Sequence, residues 1–114
     1  MVRHTSGLKT LSGTTPVELW KVTIGRSARI AKIMINNPDT SDHIVYLGSY
    51  DGTTFTQLLP GIKVLAGQTI TLSEDEIPSE KIYSTSTSQL SWAGKLDSAV
   101  ASSNVEVNIE VEEQ

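Results

Sequence analysis

Nine consecutive residues near the C-terminus, Asn104-Val105-Glu106-Val107-Asn108-Ile109-Glu110-Val111-Glu112, alternate polar and apolar without exception. Side chains of a strand point alternately to opposite faces. The run therefore sets Val105, Val107, Ile109 and Val111 against a core, and the acids and amides against water. A sheet apolar on one face must bury that face against a second layer. Nowhere does the sequence offer the i, i+3, i+4, i+7 repeat that would make this layer a helix. Composition agrees: Ser and Thr fill 27 of 114 positions, and six residues are aromatic. β-Branched Thr suits a pleated surface, and Ser suits turns.

Further strands follow from the punctuation. Val17 to Thr23 closes at Gly25. Ala28 to Asn36 (ARIAKIMIN) is apolar on both alternating faces, as expected of a strand buried on both sides. Asn37-Pro38-Asp39 with Ser41-Asp42 makes a turn through Asx hydrogen bonding and a fixed proline φ. Ile44 to Leu47 resumes the strand. Asp51-Gly52, after Tyr50, is a hairpin signal with Phe55 to Leu59 as its return. Pro60-Gly61 stops that strand, Ile62 to Leu65 is short, and Gln68 to Ser73 alternates. Ser73 to Glu76 opens a helical turn that Pro78 cuts off. Lys81 to Ser88 and Leu90 to Ala93 read as strands, and Asp97 to Ser103 as a loop or single helical turn. About eight short strands with frequent turns define an all-β protein, an antiparallel β-sandwich or a barrel, over residues 17–114. Residues 1–16 hold eight Ser, Thr or Gly, with Leu8 and Leu11 as internal apolar anchors. They are expected to form a flexible arm whose removal leaves stability nearly unchanged.

Several chemistries are excluded or demoted. A net charge of −4 argues against a nucleic-acid binder living on phosphate contacts. The absence of Cys excludes disulfides and thiolate chemistry. The N-terminal stretch lacks the apolar segment of a secretory signal, and Ile30 to Ile35, broken by Lys32, is too short to span a bilayer. A soluble chain with no membrane partner is expected. Of two histidines, His4 lies in the arm and His43 beside the Ser41-Asp42 turn, where a surface position is expected. No G-x-S-x-G elbow frames a nucleophile, the histidines are too few for zinc, and Glu74-Asp75-Glu76 lacks calcium-loop spacing. No catalytic, cofactor-binding or metal-ligating residue is expected. An enzyme would have to use His43 with an acid from the 39–42 turn.

The aromatic residues point to contact with a partner. Strict alternation places Trp20 opposite Val17 and Leu19, so that if those two face the core Trp20 faces outward. Tyr50 flanks a hairpin turn at a sandwich end, and Trp92 lies on a short strand. With Leu8 and Leu11 as anchors of the arm, and Arg3 and Lys9 as its charges, the expected partner-binding residues are Arg3, Leu8, Lys9, Leu11, Trp20, Tyr50 and Trp92. An aromatic platform of this kind also suits a carbohydrate-binding module.

From Val17 to Glu112 the order of features resembles the small β-sandwich virion proteins of tailed bacteriophages. The resemblance runs through Arg29-Ile30-Ala31-Lys32-Ile33-Met34-Ile35-Asn36-Asn37, Ile44-Val45-Tyr46-Leu47, the Asp51 to Phe55 hairpin and the Pro60 to Leu72 segment. It continues through Ile82-Tyr83-Ser84-Thr85-Ser86 and ends in the closing Val/Ile-Glu strand. In size the chain is most similar to head decoration, or cement, proteins. The resemblance implies a jelly-roll-like sandwich, made in the host cytoplasm, that docks on the capsid exterior. It further implies binding to the major capsid protein of the same virus as a homodimer or homotrimer. Tail, neck and baseplate accessory proteins share the same order of strands and turns.

Overall fold

The computed structural model describes residues 2–114. Its strands are β1 (Val2–Thr5), β2 (Lys9–Leu11), β3 (Val17–Lys21), β4 (Ser27–Asn36), β5 (His43–Tyr50) and β6 (Phe55–Gln57). They continue with β7 (Ile62–Val64), β8 (Thr69–Leu72), β9 (Lys81–Tyr83), β10 (Ser91–Leu96) and β11 (Val105–Glu113). A single 3₁₀ turn, Glu74–Glu76, stands between β8 and β9. All pairings are antiparallel and fall into two sheets.

The first sheet runs β1-β11-β4-β8, with β2 also on β11 and β9 also on β4; the second runs β3-β10-β5-β6, with β7 also on β5. Three of the eight strand positions are thus edge strands broken in two. Gly7, at a φ of 71° that favours glycine, separates β1 from β2. Pro60-Gly61 separates β6 from β7, and the 3₁₀ turn with Pro78 separates β8 from β9. Counting each broken edge once, the strand order is 1-8-3-6 in one sheet and 2-7-4-5 in the other. That is the jelly roll, and its interrupted edges are poor templates for further pairing.

The core lies between the sheets. Val105, Val107, Ile109 and Val111 of β11 are fully buried there, as their alternation requires. They meet Leu19, Val45, Leu47, Val64, Trp92 and Leu96 of the second sheet. Trp92 is the largest buried side chain, 0% exposed, and its Nε1 donates to the Ala28 carbonyl 3.0 Å away. A hydrogen bond thus crosses the core from one sheet to the other.

Two β-bulges account for places where strict alternation misleads. Between β4 and β11 the register shifts so that Val111 faces Ile30 while Glu110 faces Lys32. Ala31 is the extra residue, and the inward set passes from Ala28 and Ile30 to Ile33 and Ile35. Strand β4 is therefore apolar on one face at a time; Lys32 and Met34 face solvent, and the strand is not covered on both sides. Between β3 and β10, Trp92 pairs with Trp20 and Ala93 with Glu18, leaving Leu19 as the extra residue. Leu19 and Trp20 consequently share the inner side.

The N-terminal segment is no flexible arm. Met1 lies outside the described residues; from Val2 the chain pairs along β11, from Val2 opposite Glu113 to Leu11 opposite Val105. Leu11 is fully buried in the core. The Ser, Thr and Gly content that suggested an arm instead builds a broken edge strand, with Ser6 Oγ accepting from the Ile109 amide across the break. The sandwich thus begins before residue 17.

Candidate functional site

Most of the chemistry-bearing side chains hold the fold together. Asn37, fully buried, accepts from the Asp39 amide and donates to the Ser41 and Val64 carbonyls. This Asx turn delivers Asp39 into a nest of donors. Its Oδ2 accepts from the Ala101 amide at 2.9 Å and lies 2.7 Å from His43 Nε2. Its Oδ1 accepts from the Ser102 amide at 2.7 Å and the Ser103 amide at 3.2 Å. The Ala101 amide, the His43 ring and the neighbouring amides hold the carboxyl well below the usual carboxylate range. On the far side, His43 Nδ1 lies 3.4 Å from Asp97 Oδ1, which also accepts from the Ile44 amide. His43 is 1% exposed, not a surface histidine. Its position on β5 is inward, in phase with Val45 and Leu47. The cluster ties the 97–103 loop to the 37–43 turn.

A second cluster lies across the outer face of the first sheet. Register places Arg3, Glu112, Arg29 and Lys81 side by side on four strands. Arg3 Nη2 donates to Glu112 at 2.7 Å and to Glu74 at 2.8 Å. Arg29 donates to Glu112 at 2.9 Å and to Glu74. Arg29 and then Arg3 draw the Glu74 carboxyl below its ordinary value. Arg3 is thus already matched in charge within the chain.

The outer face of the second sheet is different. Residues directly paired across strands share a face. Val45, Leu47, Trp92 and Leu96 point inward, so Tyr46, Gly48 and Tyr50 of β5 point outward with Ala93 and Lys95 of β10. The outward rows are Tyr46 with Lys95; Glu18, Ala93, Gly48 and Gln57; and Lys21, Ser91, Tyr50 and Phe55. Lys63 stands opposite Ile44 at the end. Gly48 is obligatory: a Cβ there would sit 1.9 Å from the Thr56 carbonyl oxygen. The shallow floor of Gly48 and Ala93 lets Lys95 lie across the sheet, its Nζ 4.9 Å from the Phe55 ring centroid. Tyr46, Tyr50 and Phe55 flank that lysine, each half-buried.

An apolar pocket of about 280 Å³ opens where both sheets have broken edges, lined by Ile33, Leu59, Ile62, Leu72, Ile77 and Pro78 among others. Among the described residues, no group of three or more His, Asp or Glu side chains is arranged to hold a metal ion.

The seven residues expected to meet a partner do not form one surface. Trp92 and Leu11 are core residues, so neither is available for docking. Trp20 faces inward at the sandwich edge and stacks on His4 with ring centroids 4.5 Å apart, closing β1 over β3. Its Nε1 is buried without a hydrogen-bond partner among the described residues. Lys9 is half-buried opposite Val107. Leu8 stays 62% exposed at the break between β1 and β2. Of the seven, Tyr50 alone lies on the aromatic and lysine face, its hydroxyl donating to the Gly52 carbonyl. Tyr46, Phe55 and Lys95 were missed, although the i, i+2, i+4 spacing of Tyr46, Gly48 and Tyr50 and the Asp-Gly hairpin that sets Phe55 beside Tyr50 both carried the signal.

No protein-family model and no curated protein matches the chain. Among solved structures, a chain from the crystal structure of the T13 IBDV viral particle is similar over 97% of this chain, at a TM-score of 0.39 and 11% identity. This chain spans 34% of that one.

Proposed function

We propose that this chain is a non-enzymatic virion structural protein that attaches to the outside of a tailed-phage capsid and reinforces it. The reading rests on the sequence resemblance to small phage sandwich proteins. The observation that carries it furthest is the jelly-roll strand order, in which the buried polar clusters serve as cross-links between strands. The one histidine suited to base chemistry by sequence is enclosed, with both ring nitrogens facing carboxylates. A substrate has no approach to it. What remains accessible is a plate whose outer faces differ, one crossed by ion pairs and the other bearing aromatic and lysine side chains, suited to lying against a larger surface. Its partner is the major capsid protein of the same virus, and it assembles there as a dimer or trimer, burying surface a small sandwich leaves open.

Quantitative mass spectrometry of purified particles tests this. Hundreds of copies, in simple ratio to the shell subunit, are expected. A few copies would move the protein to the tail, neck or baseplate, and its absence from particles would overturn the proposal.

A further inference from the structure

We propose that the outer face of the second sheet, bearing Tyr46, Tyr50, Phe55, Lys21, Lys63 and Lys95, is a docking surface for an acidic protein surface. Charge is what distinguishes this face. The strands of the second sheet carry outward Lys21, Lys63 and Lys95 against Glu18, while the whole chain is at −4. Taking those four away (three positive, one negative, +2) leaves −6 on the rest of the molecule. The opposite outer face shows no such excess: Arg3 and Arg29 are matched to Glu112 and Glu74, Lys32 lies 3.9 Å from Glu110, and Lys81, which donates to Gln114, is offset by Glu106 on the same face. Lys21 and Lys63 on the edge strands border half-buried tyrosines and a phenylalanine, with Lys95 lying among the rings. This mixture of aromatic surface and positive charge suits a protein contact whose charges set orientation and on-rate.

Other occupants fit less well. A face-to-face copy of the same chain would set lysines against lysines. A sugar needs free ring faces and free amides, but Lys95 covers Phe55 and the Gln57 amide already donates to the Leu59 carbonyl. Nucleic acid would be repelled by the −6 remainder. The identity of the acidic surface as the capsid shell rests on the proposed function; the chemistry of the face does not.

Two experiments separate these. In the first, the labelled chain is titrated by NMR with poly-L-glutamate, and separately with oligo-dT and chondroitin sulfate. Salt-sensitive shifts at Tyr46, Tyr50, Phe55 and Lys95 with polyglutamate are expected, weakened about tenfold by Lys21→Glu with Lys63→Glu and unchanged by Lys32→Glu with Lys81→Glu. Shifts centred on Lys32 and Lys81, or tighter binding of oligo-dT or the glycan, would overturn the face assignment. In the second, the same two double variants are added back to particles lacking the protein. Wild-type attachment lost in the Lys21/Lys63 variant alone supports the face on the capsid. Equal attachment of both variants refutes the face, and no wild-type attachment refutes the capsid reading while the titration still decides the face.

Discussion

Asp39 shows how a single residue identity is read differently with and without its neighbours. In sequence it belongs to a polar turn. In the fold it gathers three amides and a histidine that approach from 62 to 64 residues away and from four away. Because its carboxyl is held below its unfolded value, its contribution is complete above about pH 4, the unfolded carboxylate range, and is lost progressively as pH falls further toward the folded value. Asp39→Asn, which turns an N–H toward donors that need an acceptor, is expected to lower the melting temperature at pH 7. It should also flatten the decline in stability between pH 4 and pH 2, measured by thermal denaturation. The Asx turn built by Asn37 was legible, since its bonds are local. The burial of His43 was not, because it depends on the distant 97–103 loop. Trp92 offers a second test at this scale. Trp92→Ala removes the largest core side chain and its cross-sheet hydrogen bond, and is expected to cost about 3–5 kcal/mol by chemical denaturation.

At the level of elements, β11 was readable and β3 and β4 were not fully so, for one shared reason. Strand β11 keeps its alternation of two through the core-facing residues, because its bulge inserts the extra residue on the partner, Ala31. The strands that carry the extra residue, β3 and β4, change phase in the middle, and alternation counted along them assigns the wrong face to everything beyond. Deleting Ala31 is therefore expected to be tolerated, because it keeps Ile30 opposite Val111 and Lys32 opposite Glu110 and leaves Ala28, Ile30, Ile33 and Ile35 in one unbroken alternation. Both Ala31→Gly and the deletion should stay folded by circular dichroism, and an unfolded deletion variant would mean that the bulge itself is required. The edge formed by β1 and β2 reverses an expectation drawn from composition. Its removal takes away buried Leu11, the Arg3 bridges to Glu112 and Glu74, and the His4 stack on Trp20. A chain lacking residues 1–11 is expected to lose about 3–5 kcal/mol or more, Leu11 alone being in the range of buried leucine truncations. An unchanged denaturation midpoint would mean the edge is dispensable.

For the molecule as a whole, the sandwich was evident from the alternating segments and turn signals, because an unpaired amphipathic sheet has few other ways to be buried. The distribution of charge over its two outer faces was not evident, since it depends on which face each strand turns outward. On the proposed docking, that distribution decides which face meets the partner. Sedimentation at high micromolar concentration is expected to show a dimer or trimer, and a strictly monomeric profile would count against oligomeric docking. If lysine pairing blocks a face-to-face arrangement, the association should persist in the Lys21→Glu, Lys63→Glu variant, with the sheet edges or loops as its contacts.

The pairing of Val2 to Thr5 and Lys9 to Leu11 with β11 joins the beginning of the sandwich to its last strand. On the ribosome, the opening strand has no partner until the last strand of the sandwich has been synthesised. The first sheet cannot close one residue at a time behind the exit tunnel. Closure of that edge waits until β11 has emerged, and until then the opening strand stands with its hydrogen-bonding groups unpaired.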